Sequence, residues 1–259
     1  MTVRRSVVEQ FGPAARDYAT FAYHAKGPDL APMLAASELN GSERVLDVGC
    51  GPGHTALLFA TKAREVVALD PTQAMLDEAR RLAAERSLGN IRFEQATAED
   101  IPFDASSFDR VVSRQSAHHW SAIDRAMAEI GRVLKPEGRF VLVDTFAPED
   151  PAFDSFLNRI ERLRDPSHVR DYRVIEWSQM FAAVGLELEL VESWWLALEF
   201  DPWVKRSRTP DAEIGELRRC FDAADSAVAE RFRLTTDYGF EIPFGLVVGH
   251  PPQASAKPS

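Results

Sequence analysis

Residues 45–54 read Val-Leu-Asp-Val-Gly-Cys-Gly-Pro-Gly-His, a short apolar run carrying one acid and then glycine at every second position. Helical periodicity follows, so a buried strand here meets a helix through a loop stripped of side chains. Three glycines exceed what a tight turn needs. Glycine also lets a ligand come within contact distance of the backbone. At the carboxyl end of a parallel strand such a loop builds a cofactor site, because the next helix presents unpaired amides there. An α/β fold is therefore expected.

The pattern around the loop agrees. From Glu43 to Asp144, short β-branched runs alternate with amphipathic stretches, which predicts a parallel sheet with crossover helices. The predicted strands are Arg44–Val48, Glu65–Asp70, Ile91–Gln95, Phe108–Arg114 and Arg139–Asp144. Helices are predicted over Thr55–Thr61, Thr72–Arg86 and Ile123–Val133; Met75, Leu76, Ala79, Leu82 and Ala83 share one face of the second, with Thr72 as its N-cap. Lys135-Pro136-Glu137-Gly138 has the residues of a tight turn before the last parallel strand. Residues 1–40 read as an N-terminal helical cap, with Pro28 opening a helix to about Leu39. Residues 41–145 form the cofactor-binding core. Residues 146–250 read as C-terminal helices and closing strands that roof the site: helices near 152–164 and 175–183, a strand Leu186–Leu198, helical segments between Pro202 and Arg231, and a strand near Phe244–Val248. Residues 251–259 have the composition of a disordered tail.

With 259 residues, 45% of them hydrophobic, the chain can bury one sizeable core with an elaborated end. Lys plus Arg number 30 against 40 for Asp plus Glu, a net charge of −10, which argues against a surface that tracks nucleic acid. Cys50 and Cys220 are the only cysteines and support neither a disulfide framework nor a zinc site. No metal site is expected, and a cytoplasmic location is. The opening residues lack the apolar core of a secretory signal, and no stretch approaches the ~18 apolar residues of a membrane span.

The ligand can be narrowed further. Asp70 closes the second strand, where a carboxylate can accept ribose hydroxyls. A dinucleotide loop reads G-x-G-x-x-G, whereas here the third glycine arrives one residue early and Asp47 stands in the approach. That acid disfavours a pyrophosphate and suits a ligand with an amino group and a sulfonium. At these residues the chain resembles the class I S-adenosylmethionine-dependent methyltransferases, whose first motif is an acid followed by G-x-G-x-G. Thr97 to Phe103, "TAEDIPF", resembles the family's adenine loop; "FDRVVSRQSAHHW" is similar to its fourth strand and active-site loop, and "RVLKPEGRFVLVD" to its fifth strand. The nearest group is the ubiquinone and menaquinone methyltransferase type, and within it a largely uncharacterised bacterial branch sharing "AHH", "APEDP" and "RDPSHVR".

The resemblance implies a doubly wound, Rossmann-like sandwich whose sheet ends in an antiparallel hairpin. It implies S-adenosylmethionine as cofactor and S-adenosylhomocysteine as product. The cofactor contacts it implies fall on Asp47, Gly49, Cys50, Gly51, Gly53, Asp70, Pro71, Met75, Thr97, Ala98, Glu99, Arg114 and Ser116. The family's architecture places the fourth-strand loop beside the methyl group, so His118 and His119 are candidate bases with a pKa suited to neutral pH. Tyr18 or Tyr23 of the cap are candidate partners for them.

Three further groups are candidates for the acceptor. Arg164 falls on the apolar stripe of its helix, formed by Phe153, Phe156, Leu157, Ile160 and Leu163, and with His168 and Arg170 could surround an anion. An internal salt bridge of Arg164 with Asp165 or a core carboxylate is the competing reading. Trp194 and Trp195 are strand neighbours whose rings point to opposite faces, so one belongs to the core and the other, with Phe200, Trp203 and Phe240, could line an aromatic pocket. The expected function is methyl transfer to a small, anionic or aromatic acceptor. The alternatives are a protein that binds S-adenosylmethionine or S-adenosylhomocysteine without turnover, and a nicotinamide-dependent oxidoreductase, which the glycine spacing disfavours. The oligomeric state stays open between monomer and homodimer.

Overall fold

In the computed structural model, which describes residues 5–20 and 25–252, the alternation of runs becomes a mixed sheet. Strands β1 (Arg44–Val48), β2 (Glu65–Leu69), β3 (Ile91–Glu94), β4 (Phe108–Arg114) and β5 (Leu134–Ala147) are mutually parallel. A two-residue strand, β6 (Tyr172–Arg173), adds to the end of β5. The last strand, β8 (Phe240–His250), lies antiparallel between β5 and the edge strand β7 (Glu187–Leu198), giving the order β3-β2-β1-β4-β5-β8-β7. This is the expected terminal hairpin. The order reverses between β1 and β4, and at such a switch point the loops diverge and leave a crevice.

The period of two in each strand sends neighbours to opposite faces, and both faces are buried. Val45, Val66, Val112, Val141 and Val143 join one cluster; Leu46, Val48, Val67, Leu69, Val111 and Leu142 join the other. Each fully buried side chain of this size contributes roughly 1.5–3 kcal/mol. Along the chain the helices are α1 (Val7–Phe11), α2 (Ala15–Thr20), α3 (Leu30–Ala36), α4 (His54–Phe59), α5 (Gln73–Glu85), α6 (Ile123–Val133), α7 (Pro151–Arg164), α8 (Val174–Ala183), α9 (Phe200–Arg206), α10 (Asp211–Asp222) and α11 (Ser226–Arg231). The second cluster is covered by α6 and α8, and the first by α4, α7 and α9 to α11.

Two local expectations are corrected. Phe108 pairs with Leu134 and Arg110 with Arg139, so Lys135-Pro136-Glu137-Gly138 bulges out opposite Asp109 within β5 and is not a turn ahead of it. Lys135 Nζ reaches Asp109 Oδ1 at 2.6 Å, and Gly138 folds so tightly onto Leu134 that a Cβ there would lie 2.6 Å from its side chain. Thr72 occupies the N-cap of α5 but makes no side-chain cap; Asp70 Oδ1 accepts its amide at 2.8 Å.

At five and six residues, α1 and α2 are too short to persist alone. They are held by Phe11 and Ala15 against Met75, by Gln10 Nε2 donating to Ser207 O at 2.7 Å, and by Arg208 donating to Pro13 O at 2.8 Å. The helix expected from Pro28 is shorter, Leu30–Ala36: Asp29 at its start turns its carboxylate to Arg114 and makes no side-chain cap, and Glu38, at φ +46°, ends it before Leu39. Among the described residues no helix is long and apolar enough to cross a membrane. Of the expected tail, residues 253–259 lie outside the described residues.

Candidate active site

Strand β1 delivers the glycine loop to the switch point, and its glycines answer separate constraints. Gly49 has φ +72°, and a Cβ there would lie 1.7 Å from Ser116 Oγ. Gly53 has φ +87°, and its Cβ would meet the Ala79 methyl at 2.8 Å, so it lets α4 and α5 approach. Around Gly51 nothing lies within 4 Å of a Cβ position: the loop opens there into space. The Gly49 and Cys50 amides donate to Leu69 O at 2.8 and 3.0 Å, and the Gly51 amide to Asp70 Oδ2 at 2.9 Å. Asp70 is thus fixed at the edge of that space.

Behind the loop, Asp47 is buried, and its Oδ2 has no partner among the described residues. Burial pushes its pKa up to about 7, with the Asp70 charge adding to the rise. A buried carboxylate oxygen without a donor is costly, and a cationic amino group is one way to answer it.

The open space is one cavity of ≈ 590 Å³. One end is walled by Gly49, Cys50, Gly51, Asp70, Pro71, Met75, Thr97, Ala98 and Glu99, and Arg114 and Ser116 also border it. Asp47 and Gly53 stand behind this wall. Two of these residues also have partners within the protein. Glu99 Oε1 accepts the Ser121 amide and hydroxyl at 2.7 and 2.8 Å, bonds that hold its pKa low against burial. The buried Arg114 guanidinium pairs with Asp29 at 2.9 Å.

At the other end stand His118 and His119, on a single 3₁₀ turn after β4, their ring centroids 4.1 Å apart. His118 Nδ1 lies 2.6 Å from Asp144 Oδ1, an acid within the buried stretch of β5. Asp144 Oδ2 accepts the Ala117 amide at 2.9 Å and Oδ1 the Thr145 amide at 2.8 Å. Burial opposes a charged His118 ring, but the Asp144 carboxylate outweighs it and raises the pKa to about 9. His118 is therefore a cation at neutral pH, not the free base its ordinary pKa suggests. Burial and then the His118 charge lower His119 to about 4, so that ring is neutral. Asp171 brings a carboxylate oxygen within 4.8 Å of ligand-type atoms of His118 and Asp144, but both Asp144 oxygens are already engaged.

The remaining candidates are only partly brought together. Tyr18 lines the cavity, edge-on to Phe11 at 5.3 Å, with burial raising its phenol pKa. Tyr23 lies outside the described residues. Arg164 lines the cavity as expected, yet its Nη1 pairs with Glu161 at 2.9 Å, and its guanidinium lies 5.3 Å over the Trp203 ring. The internal salt bridge is thus present, with Glu161 as its partner. Arg170 is turned away to Asp154 and Glu176, at 2.9 and 3.0 Å. His168 is buried behind His118, its ring stacked at 5.5 Å, so the three basic residues do not converge on one anion. Trp194 packs on Phe244 and Trp195 on Phe232, both members of the same core cluster, because the segment after α11 wraps the edge strand. Neither lines the cavity; Leu196, Leu198, Ile242, Phe244 and Trp203 do.

A doubly wound sheet ending in a β5-β8-β7 hairpin, with a glycine loop and a strand-end carboxylate on one cavity, is the class I methyltransferase architecture. Comparison with known proteins agrees. Residues 46–142 match the family model described as a methyltransferase domain. The chain is 43% identical over 218 residues to the uncharacterized methyltransferase YcgJ of Bacillus subtilis (strain 168), covering 84% of this chain and 86% of that one. The crystal structure of YcgJ aligns with a TM-score of 0.84 at 38% identity, over 87% of this chain and 98% of that one. The uncharacterized protein YafE of Escherichia coli (strain K12) is 37% identical over 202 residues, 78% of this chain and 98% of that one. The chain belongs to the class I S-adenosylmethionine-dependent methyltransferases.

Proposed function

We propose that the chain methylates a small acceptor with an aromatic or otherwise apolar body, inside the cavity that runs from the glycine loop to the two histidines. The observation that carries this reading is the continuity of that one cavity, of a size usual for small-molecule sites. Asp47 would answer the cofactor's amino group, Asp70 its ribose hydroxyls, and Pro71, Met75 and Ala98 would flank its adenine. Bound S-adenosylmethionine supplies a methyl group made electrophilic by the sulfonium. The chain's part is to align the acceptor, exclude water and take a proton, of which alignment alone can supply several kcal/mol. In this reading residues 1–40 and 146–250 are the cap and lid of the 41–145 core.

Of the two acceptor characters, the apolar one has the firmer support. Leu196, Leu198, Ile242, Phe244 and Trp203 form the far wall, whereas Arg164, one of the guanidinium groups that border the cavity, is already paired with Glu161. The demethylmenaquinone methyltransferase of Symbiobacterium thermophilum is 33% identical over 120 residues, only 45% of this chain and 48% of that one. We therefore read the quinone-type kinship as one of cofactor chemistry. Calorimetric titration tests the assignment. S-adenosylhomocysteine should bind and NADH should not, and Gly51→Val, whose side chain enters the open space, should weaken S-adenosylhomocysteine by at least ~10²-fold. Because Gly51 sits at φ +52°, where a β-branched residue is strained, the melting temperature should also fall, and affinity is read on protein that circular dichroism shows to be folded. Binding of NADH alone, or undiminished affinity in Gly51→Val, overturns the assignment.

A further inference from the structure

The segment after α7, Arg164-Asp165-Pro166-Ser167-His168-Val169-Arg170, takes no part in the cofactor end, yet the fold presses it onto the histidine turn. The Val169 and Arg170 amides donate to the His118 carbonyl at 2.8 and 3.2 Å, so turn and segment form one hydrogen-bonded unit. Within it, Asp165 Oδ1 accepts both the amide and the hydroxyl of Ser167, at 2.8 and 2.7 Å. A hydroxyl has one hydrogen, and here the carboxylate takes it. What Ser167 Oγ offers His119 Nδ1, 3.3 Å away, is a lone pair. His119 must then carry its hydrogen on Nδ1, which leaves Nε2 with a free lone pair when the ring is neutral.

The surroundings keep the ring neutral. His118, its Nδ1 bound to Asp144, is the adjacent cation, and His168 lies 6.3 Å off; Asp165 is the one carboxylate joined to His119, through Ser167. Phe11 of the cap closes edge-on over His119 at 5.0 Å. His119, Ser167 and Asp165 all border the cavity. Two titratable rings whose environments push them apart mark a division of acid and base roles.

We propose that His119, not His118, is the general base of the methyl transfer, and that Ser167 and Asp165 are positioning residues that fix its tautomer. The inference rests on the methyltransferase reading of the cavity. As the acceptor's lone pair bonds to the methyl carbon and the carbon–sulfur bond breaks to leave a thioether, His119 Nε2 takes the proton released from the acceptor's O–H or N–H.

Nitrogen-15 NMR of histidine-labelled protein saturated with S-adenosylhomocysteine tests the placement without any acceptor. At pH 7 His119 should show one proton, on Nδ1, and His118 two. Ser167→Ala should shift His119 toward the Nε2–H tautomer, Ser167→Thr should restore it, and S-adenosylhomocysteine affinity should stay within about twofold in both. A wild-type His119 protonated on Nε2 or on both nitrogens at pH 7, or a tautomer indifferent to Ser167→Ala, overturns the proposal. With a phenol as surrogate acceptor, His119→Ala should lower turnover at least ~10²-fold and Ser167→Ala less, at unchanged KM for S-adenosylmethionine. A protein that fails to bind S-adenosylhomocysteine at all would refute the methyltransferase reading itself, a result separate from the tautomer.

Discussion

The two ends of the cavity are built on opposite electrostatic terms. At the glycine loop a buried acid, Asp47, keeps an oxygen without a partner among the described residues, which in the proposed reading the cofactor's amino group answers. At the histidine end the charges are answered from within: His118 by Asp144, Arg164 by Glu161, Asp165 by Ser167. Asp171 is the exception there, and burial pushes its carboxyl well above the usual range, toward the neutral form. The comparison teaches that the glycine-loop end leaves a buried acid unanswered, while at the histidine end internal pairing drives two neighbouring rings toward different protonation states.

The largest expected effect comes from breaking the internal pairing. His118 is raised from 6.5 to about 9, so its contribution to stability is complete below pH 6.5 and is lost as pH rises through 9. That shift corresponds to about 3 kcal/mol. His119 is lowered to about 4, so its term runs the other way, complete above pH 6.5 and lost as pH falls toward 4. The stability difference between wild type and His118→Gln, from denaturant unfolding, should therefore shrink steadily from pH 6.5 to 9. A difference that stays flat across that window would mean that His118 is not held as a cation, and the contrast between the ends would fail.

The same contrast explains what was legible in the sequence. The glycine loop was readable because its constraints are local: acid, three glycines and helix lie within ten residues, and strand-end Asp70 follows from the next β-branched run. Strands β1, β2, β4 and β5 were readable for the same reason, since each carries a β-branched run buried on both faces, and β3, half-buried at the sheet edge, follows from its place in the alternation. Only the start of β5 was obscured, where Lys135-Pro136-Glu137-Gly138 has the composition of a turn and forms a bulge. The histidine end is assembled from distant pieces. His118 meets Asp144 across 26 positions, Ser167 meets His119 across 48, and Arg114 meets Asp29 across 85. Nothing periodic marks such pairs. One signal was present: Asp144 ends the apolar run "FVLVD" as Asp47 interrupts "VLDV", and an acid in a buried strand needs a partner. The basic residues of "RDPSHVR" suggested an anion cradle, but its backbone and its Asp165–Ser167 pair clamp the histidine turn instead.

A smaller effect sharpens the cofactor end. With Asp47 near 7 in the free protein, a cationic amino group bound beside it would hold the carboxylate ionised. Binding must then release a proton below pH 7, and affinity must rise as pH increases toward 7 and level off above it. Between pH 6 and 8 the gain should approach ~10-fold for S-adenosylhomocysteine, with Asp47→Asn weaker and without the slope. Calorimetry at pH 6 in two buffers of different ionisation enthalpy reads the proton directly. Proton uptake, or equal slopes in wild type and Asp47→Asn, would show that Asp47 does not receive the cation.

The smallest effect is expected at Arg164, and it bears on whether the acceptor end holds any charge in reserve. Its guanidinium is engaged by Glu161 at 2.9 Å, by the Trp203 carbonyl at 3.3 Å and by the Trp203 ring beneath it. Lysine at this position keeps the attraction to Glu161 but loses the planar fork and the stacking. Arg164→Lys should then lower stability by about 1 kcal/mol and leave S-adenosylhomocysteine affinity and acceptor KM within twofold. A rise of tenfold or more in acceptor KM, with stability intact, would mean that a substrate anion displaces Glu161 from Arg164 during turnover. The acceptor end would then also be completed from outside, and the difference between the two ends would reduce to which of them waits for a cation and which for an anion.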